Sequence, residues 1–262
     1  MQTTERTIRV GSIDVHAWVG GRGDPLLVLH GAGGNRGFTR SLQQLASRYT
    51  VWAPTHPGFG MTQAPPKLTT IDDLAYLYLD LMEEMDLRDC IVVGASLGGW
   101  IAAEMAVKTT ERISHLVLVD SVGIKAGGRE SRDIADIYAV TDRQLAELVY
   151  ADAKSMARDV KALPESELTL MARSREATGR YAWTPYMHDP KLKGRLHRIR
   201  IPTLVLWGAA DRVAGPDYGR ALAAAIPGAQ FEIIEGAGHF PHLEQPDALA
   251  RRIANFVEGR AP

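Results

Sequence analysis

Residues Ile91–Trp100 have the sequence IVVGASLGGW, an apolar run that passes directly into small residues on both sides of a serine. The run predicts a buried strand, and the pattern from Leu97 to Lys108 predicts a helix behind it. The motif G-x-S-x-G between a strand and a helix is typical of a nucleophile elbow, a sharp turn that raises a serine hydroxyl above the sheet edge. The helix N-terminus adds partial positive charge where an oxyanion would develop. Ser96 is therefore a candidate nucleophile.

Short apolar runs recur along the chain, with helical patterns between them. The other runs are Leu26–Leu29, Val51–Ala53, Leu116–Val119, Leu204–Trp207 and Phe231–Glu235; the other helical stretches are Ile71–Met85, Pro216–Ile226 and Pro246–Val257. Solid apolar runs predict strands that are covered on both faces. The alternation predicts a doubly wound, mostly parallel α/β sheet, preceded by a hairpin of Thr7–Val10 and Val15–Val19.

One segment interrupts this alternation. From about Gly127 to Arg200 the sequence has no convincing strand, and we expect helical pieces at Asp133–Val140, Arg143–Tyr150 and Glu165–Ala177. The sequence therefore predicts a single α/β domain in two parts, residues 1–122 and 201–262, with a helical insertion over residues 123–200.

The composition excludes several classes of protein. Of 262 residues, 45% are hydrophobic and 23% charged, and the formal net charge is −1, which argues against nucleic acid as a partner. The one cysteine, Cys90, excludes an internal disulfide and a thiolate metal site, and it fits a reducing compartment. The first residues lack a signal-peptide core and no segment has the pattern of a membrane span. We expect a cytoplasmic protein, either a monomer or a homodimer.

The glycine-rich stretch Leu26–Gly37, LLVLHGAGGNRG, could cradle a phosphate or form an oxyanion hole. A dinucleotide fingerprint that starts at Gly31 and Gly33 needs a third glycine where Arg36 stands, and no Gly-Lys-Ser/Thr triplet follows. The next strand also ends without an acidic residue for a ribose. No cofactor is therefore expected, and no cluster has the spacing of a metal site.

A base and an acid follow the candidate nucleophile in the order Ser, Asp, His that is expected after such an elbow. Asp211 comes just after the run Leu204–Trp207, and His239 lies on a small-residue loop after Phe231–Glu235. A serine hydroxyl is a weak nucleophile unless a base activates it and a third group orients that base.

With these motifs the chain resembles the α/β-hydrolase superfamily. The resemblance rests on four stretches: His30–Gly34, Gly94–Gly99, Trp207–Asp211 and Gly238–Pro246. It implies Ser96 as nucleophile, His239 as base and Asp211 as third member, with the backbone N–H groups of Ala32 and Leu97 forming the oxyanion hole. It also implies that the helical insertion is a cap after the sixth strand. Asp120 is a rival acid, because some members of the superfamily place theirs there.

Other residues have more ordinary expected roles. We expect His30 to bond backbone and hold the glycine loop, His56 to serve a turn or line the pocket, and His242 to be a packing or surface residue. Cys90 is expected to pack as a small hydrophobe. The pocket is expected to include Gly31, Phe240 and the aromatic Trp183 of the insertion.

The expected reaction is hydrolysis of a carboxylic ester of a small to medium, mostly apolar substrate through an acyl-enzyme. A carbon–carbon bond hydrolase is a weaker alternative, since those relatives usually carry a tryptophan after the histidine and an asparagine before the nucleophile, where this chain has Phe240 and Ala95. A lactonase, a cofactor-free perhydrolase and a slow, receptor-like hydrolase remain open. Ser96 disfavours relatives with an aspartate nucleophile.

Overall fold

One eight-stranded sheet organises residues 3–128, 130–156 and 159–260, which are the residues that the computed structural model describes. The strands are Thr3–Val10 (β1), Ile13–Gly21 (β2), Pro25–Leu29 (β3), Thr50–Pro54 (β4), Cys90–Ala95 (β5), Ile113–Val119 (β6), Thr203–Gly208 (β7) and Gln230–Ile234 (β8). The helices are Arg40–Leu45 (α1), Ile71–Glu84 (α2), Leu97–Lys108 (α3), Asp142–Val149 (α4), Ala153–Met156 (α5), Glu165–Ala182 (α6), Leu192–Arg195 (α7), Pro216–Ala224 (α8), Pro241–Glu244 (α9) and Pro246–Val257 (α10), with short 3-10 turns at Val160–Ala162 and Leu196–Arg198.

The strand order β1-β2-β4-β3-β5-β6-β7-β8 confirms the predicted doubly wound sheet. The hairpin β1–β2 is antiparallel, and β2 pairs antiparallel with β4. From β4 through β3 and β5 to β8 every neighbouring pair is parallel. The carboxyl ends of these six strands therefore meet at one edge of the sheet.

The uninterrupted apolar runs of the central strands are explained by the apolar clusters that cover both faces of the sheet. In β5, Cys90 and Val92 belong to one apolar cluster, whereas Ile91 and Val93 belong to a second cluster on the opposite face. Successive strand residues point to opposite faces, so a strand covered by helices on both sides needs an apolar residue at every position.

Between β6 and β7 the described residues form helices and irregular backbone, with a single isolated bridge from Gly123 to His188. We call residues 123–200 the helical segment. The predicted helix over Asp133–Val140 is wrong. The N–H of Ala135 donates to Val213 O at 2.8 Å and that of Ile137 to the Tyr186 hydroxyl at 2.9 Å, so tertiary contacts take the donors a helix would use.

None of the described helices is both long and apolar enough to cross a lipid bilayer.

The close contact between β3 and α3 predicts that Gly98→Ala destabilises the fold. A Cβ atom on Gly98 would lie 2.1 Å from the carbonyl oxygen of Leu29, a backbone atom held by the sheet. We expect the free energy of unfolding, measured with urea, to fall by about 3 kcal/mol or more.

The matched control is Gly194→Ala on the short helix α7, where an added Cβ meets nothing within 4 Å. There alanine should be neutral or stabilising by up to about 1 kcal/mol, because it is the better helix former. Equal stability of both variants would contradict the predicted clash.

Candidate active site

Ser96 lies in the turn between β5 and α3, and its backbone is strained. Its φ of 50° and ψ of −113° are rarely adopted by a residue with a side chain. The turn is fixed because the Ser96 N–H donates to Val119 O at 2.9 Å. Glycines surround the turn and leave room for it. A Cβ on Gly94 would lie 2.3 Å from Gly98 O, and one on Gly31 would lie 3.1 Å from Ser96 Cβ. The small residues thus allow the sharp turn to form.

A series of hydrogen bonds joins the three residues that the sequence nominated. His239 Nε2 lies 2.8 Å from Ser96 Oγ, and His239 Nδ1 lies 2.8 Å from Asp211 Oδ2. The exposed fractions of Ser96, Asp211 and His239 are 8%, 4% and 5%. Since an ionised carboxylate only accepts, Nδ1 carries the proton and Nε2 is left to accept from the serine hydroxyl.

The Asp211 carboxylate is held by backbone donors as well. Its Oδ1 accepts the N–H groups of Val213 at 2.8 Å and Ala214 at 3.2 Å. Asp211 therefore has a fixed orientation and leaves Oδ2 for the imidazole.

The loop that carries His239 is fastened to the end of α4. The His239 N–H donates to Val149 O at 2.7 Å. Glu244 connects the two parts, because its Oε2 accepts from Gly238 N at 2.7 Å and its Oε1 from Ala151 N at 2.8 Å. Sequence reasoning did not assign a role to Glu244, since its partners become neighbours only in the fold.

The two N–H groups expected to form an oxyanion hole have no acceptor among the described residues. Leu97 is the first residue of α3, where an N–H has no partner within the helix, and Ala32 lies on the glycine loop. His30 holds this loop as expected, since its Nδ1 donates to Gly31 O at 2.7 Å and its Nε2 accepts from His56 N at 2.9 Å.

A cavity of about 220 Å³ lies over Ser96 and His239, between the sheet edge and the helical segment. Most of its lining is apolar; the lining includes Val122, Ile134, Ile137, Leu145, Ala146, Val149, Val160, Leu163, Met171, Met187, Val213 and Phe240. Two cations, Arg36 and Arg175, also line it, and sequence reasoning had not singled out either.

The structure corrects part of the predicted pocket. Trp183 is 53% exposed and lies outside the lining, packed edge-on against Tyr138 and Tyr186, while Tyr186 lines the cavity instead. Trp183 is the residue directly after α6, and its ring lies at the surface there. Gly31 lines a neighbouring cavity of about 90 Å³ on the other side of Ser96 and does not line the larger one, whereas Phe240 borders both cavities.

Asp120, the rival acid, is also at the sheet edge but makes no hydrogen bond to the imidazole. It is fully buried, and its Oδ1 accepts from Gly208 N at 2.8 Å. Burial and the neighbouring Asp211 raise the pKa of the Asp120 carboxyl well above its usual value. Asp120, Asp211 and His239 form a group of possible metal ligands within the described residues, but two of its three members already bond each other.

Three other histidines are held neutral by burial. Desolvation lowers the pKa of His30 to about 4 and that of His242 to about 3, and it lowers the pKa of His56 well below its ordinary value. His56 bonds the hydroxyl of Tyr78 and the carbonyl of His30, so it serves the structure of the loop. Cys90 is buried, and burial raises the pKa of its thiol to about 12, as expected of a packing residue.

The family of this chain was identified by comparing its sequence with models of known protein families. The model of the alpha/beta hydrolase family matches residues 26–252, most of the chain. The chain belongs to the α/β hydrolase family. Among solved structures, this α/β hydrolase has the same fold as a meta-cleavage product hydrolase, with a TM-score of 0.80 and 22% identity over 97% of this chain and 98% of the other.

Curated relatives of this α/β hydrolase have varied activities. One is the dihydrolipoyllysine-residue acetyltransferase component of an acetoin cleaving system from Cupriavidus necator, 29% identical; the match covers 93% of this chain but 66% of that protein. Lipase 1 of Psychrobacter immobilis is 29% identical over 89% of this chain and 77% of its own length. A 2-hydroxy-6-oxononadienedioate/2-hydroxy-6-oxononatrienedioate hydrolase of Cupriavidus pinatubonensis is 27% identical over 91% and 88%.

The neutral histidines predict that this α/β hydrolase loses stability in acid. Their folded pKa values lie below the unfolded value of about 6.5, so the unfolded chain binds more protons once the pH falls below 6.5. Their contribution is complete above pH 6.5 and is lost as the pH falls toward 4. Asp120 acts in the opposite direction, so we expect a net slope of at most about 3 kcal/mol per pH unit near pH 5 in urea unfolding.

A pair of variants isolates the contribution of one histidine, His242, to this slope of stability against pH. His242→Gln should reduce that slope by about 1.4 kcal/mol per pH unit, whereas His197→Gln, at an exposed position on the surface, serves as the control. An unchanged slope in His242→Gln would refute the neutral, buried state of this imidazole.

Proposed function

We propose that the protein is a serine hydrolase that cleaves a carboxylic ester of a small to medium, mostly apolar substrate. The observation that supports this most directly is the hydrogen-bonded series Ser96–His239–Asp211 beneath an apolar cavity of about 220 Å³. A cavity of this size and lining suits a modest, mostly uncharged molecule that is bound by burial of apolar surface. The lipase relative supports the same class of bond.

In the first half of the proposed reaction, Ser96 Oγ attacks the ester carbonyl while His239 Nε2 takes its proton. The Nδ1–H bond to Asp211 holds the imidazole in the required tautomer and stabilises its charged form. Because the three groups are already at hydrogen-bond distance, the attack needs little rearrangement of the protein.

The tetrahedral oxyanion is bound by the N–H groups of Ala32 and Leu97, aided by the N-terminus of the 12-residue helix α3. His239 then protonates the leaving alcohol, and the acyl group stays on Ser96. Water attacks this acyl-enzyme by the same route, with His239 again as the base, and releases the acid.

The helical segment, residues 123–200, is proposed to act as a cap over the site. Most of the apolar lining of the cavity comes from this segment. Its helix α4 is anchored beside the site, since Arg212 donates to Glu147 O at 2.8 Å and His239 N donates to Val149 O. These bonds fix the α4 end of the proposed cap beside the site.

Ser96→Ala is the direct test. We expect the wild type to hydrolyse p-nitrophenyl esters from acetate to decanoate and the variant to lose turnover by about 10⁴-fold or more, because no other group replaces the nucleophile. A phosphonate that reacts with activated serines should add one adduct to the wild type and none to the variant, as read by mass spectrometry.

Ser47→Ala, at an exposed serine, is the matched control and should keep both turnover and labelling. Equal ester turnover in Ser96→Ala and the wild type would reject the proposal.

A second candidate is a carbon–carbon bond hydrolase for substrates with a carboxylate, and the two cations of the cavity favour it. Arg36 is exposed at the glycine loop, and Arg175 reaches Ile137 O at 3.4 Å with its guanidinium over the ring of Tyr138. A guanidinium beside the mostly apolar lining of this cavity, which also includes Asp142, can bind a carboxylate bidentately. The relative from Cupriavidus pinatubonensis is named for a dioate substrate.

Arg175→Gln separates the two candidates when assayed with a neutral ester and a 2-hydroxy-6-oxohexa-2,4-dienoic acid. For an esterase of neutral substrates we expect the wild type to prefer the ester, and the variant to keep its kcat/KM within about threefold. A wild-type preference for the dienoic acid, with a loss of about 100-fold in the variant, would establish the second candidate instead.

A further inference from the structure

The Asp120 side chain is the buried acidic group that the proposed mechanism leaves unused. Asp120 follows β6 directly, with φ of 44°, and its N–H donates to Leu206 O at 3.0 Å. Its Oδ1 accepts from Gly208 N at 2.8 Å. Its Oδ2 is buried, and no donor from the described part of the chain reaches that oxygen. A buried carboxylate oxygen without a donor is costly, whereas a protonated one is itself a donor.

Asp120 lies beside a second buried carboxyl group. One oxygen of Asp120, one of Asp211 and one ring nitrogen of His239 all lie within 4.8 Å of one another. Among residues 3–128, 130–156 and 159–260, no ammonium or guanidinium donates to either carboxyl group. Two carboxylates this close in a buried site do not both ionise, so one of them carries a proton.

The hydrogen bonds decide which carboxyl keeps the charge. Asp211 accepts from Val213 N, Ala214 N and His239 Nδ1, whereas Asp120 accepts from Gly208 N alone. Each bond to a carboxylate favours its ionised form. The negative charge therefore lies on Asp211 and the proton on Asp120.

The surrounding charges act in the same direction. Burial, the charge on Asp211 and the more distant charge on Glu244 all raise the pKa of the Asp120 carboxyl. His239 is the basic group that faces the pair, and it is already bonded to Asp211.

We propose that Asp120 is a protonated positioning residue, whose Oδ2–H donates to the Asp211 carboxylate so that the pair carries a single negative charge beside His239. This role rests on the proposed serine hydrolase function. The bond orients Asp211 and makes its carboxylate less basic. A carboxylate that accepts this bond still holds the imidazole in place, but it stabilises the charged imidazole less.

Two substitutions test this through the pH dependence of ester kcat/KM. Asp120→Asn keeps a neutral side chain with an acceptor for Gly208 N and a donor for Asp211, and asparagine tolerates a positive φ. We expect it to keep kcat/KM within about threefold and to leave the acid-side midpoint in place. Asp120→Ala removes the donor, so kcat/KM should fall about tenfold and the midpoint should rise as Asp211 becomes more basic.

Two outcomes would overturn the proposal. If Asp120 is ionised, Asp120→Asn removes a negative charge near His239 and lowers the midpoint by about one pH unit or more. If Asp120 is merely structural, Asp120→Ala lowers the melting temperature but leaves the midpoint of the folded enzyme unchanged.

A measurement without substrate keeps this test separate from that of the esterase activity. The infrared difference between wild type and Asp120→Asn at pH 7 should contain the C=O band of a protonated carboxylic acid. An absent band rejects the protonated Asp120, whatever the activity. A band in a protein that turns over no ester would instead reject the proposed function while leaving the protonated pair established.

Discussion

The parallel pairing of β3, β5, β6, β7 and β8 is the constraint on which the rest of the molecule depends. Parallel strands all end at the same edge, so the turns after them become neighbours although they are far apart in the chain. Ser96, Asp120, Asp211 and His239 each follow one of these strands, and the glycine loop follows another. This edge is also where α/β sheets generally bind ligands. The site is thus a consequence of the sheet order, and glycines at the contacts let the turns approach closely enough to bond.

The close approach of these turns buries polar groups, and most of them are satisfied by neighbours from other elements. Asp211 accepts two backbone N–H groups, and Glu244 accepts those of Gly238 and Ala151. The rings of His30 and His56 donate to the carbonyls of Gly31 and His30 in the glycine loop, and the His30 ring also accepts the His56 N–H. Satisfied buried groups rigidify the site. As a consequence, several histidines must stay neutral and one carboxyl group must stay protonated, so the stability of the site depends on pH.

The sequence predicted most of the fold because local pattern and burial agree there. The helices Leu97–Lys108 and Pro246–Val257 have the predicted bounds, and all the core strands were found within a few residues. The helix expected over Asp133–Val140 failed because Val213 and Tyr186, distant in sequence, take its backbone donors. Trp183 was misplaced for a related reason, since an aromatic residue after a helix has no pattern that tells an outward ring from an inward one.

The sequence by itself determined the strand-turn-helix that carries Ser96, the alternation that specifies the sheet, and the order of serine, aspartate and histidine. Each of these is a local pattern with a local physical cause. Only the tertiary structure decided that Asp211 and not Asp120 bonds the imidazole, that Glu244 and α4 fix the loop of His239, and that Arg36 and Arg175 border the cavity. Those features depend on distances between residues remote in the chain, and packing of the helical segment on the sheet edge is what sets such distances.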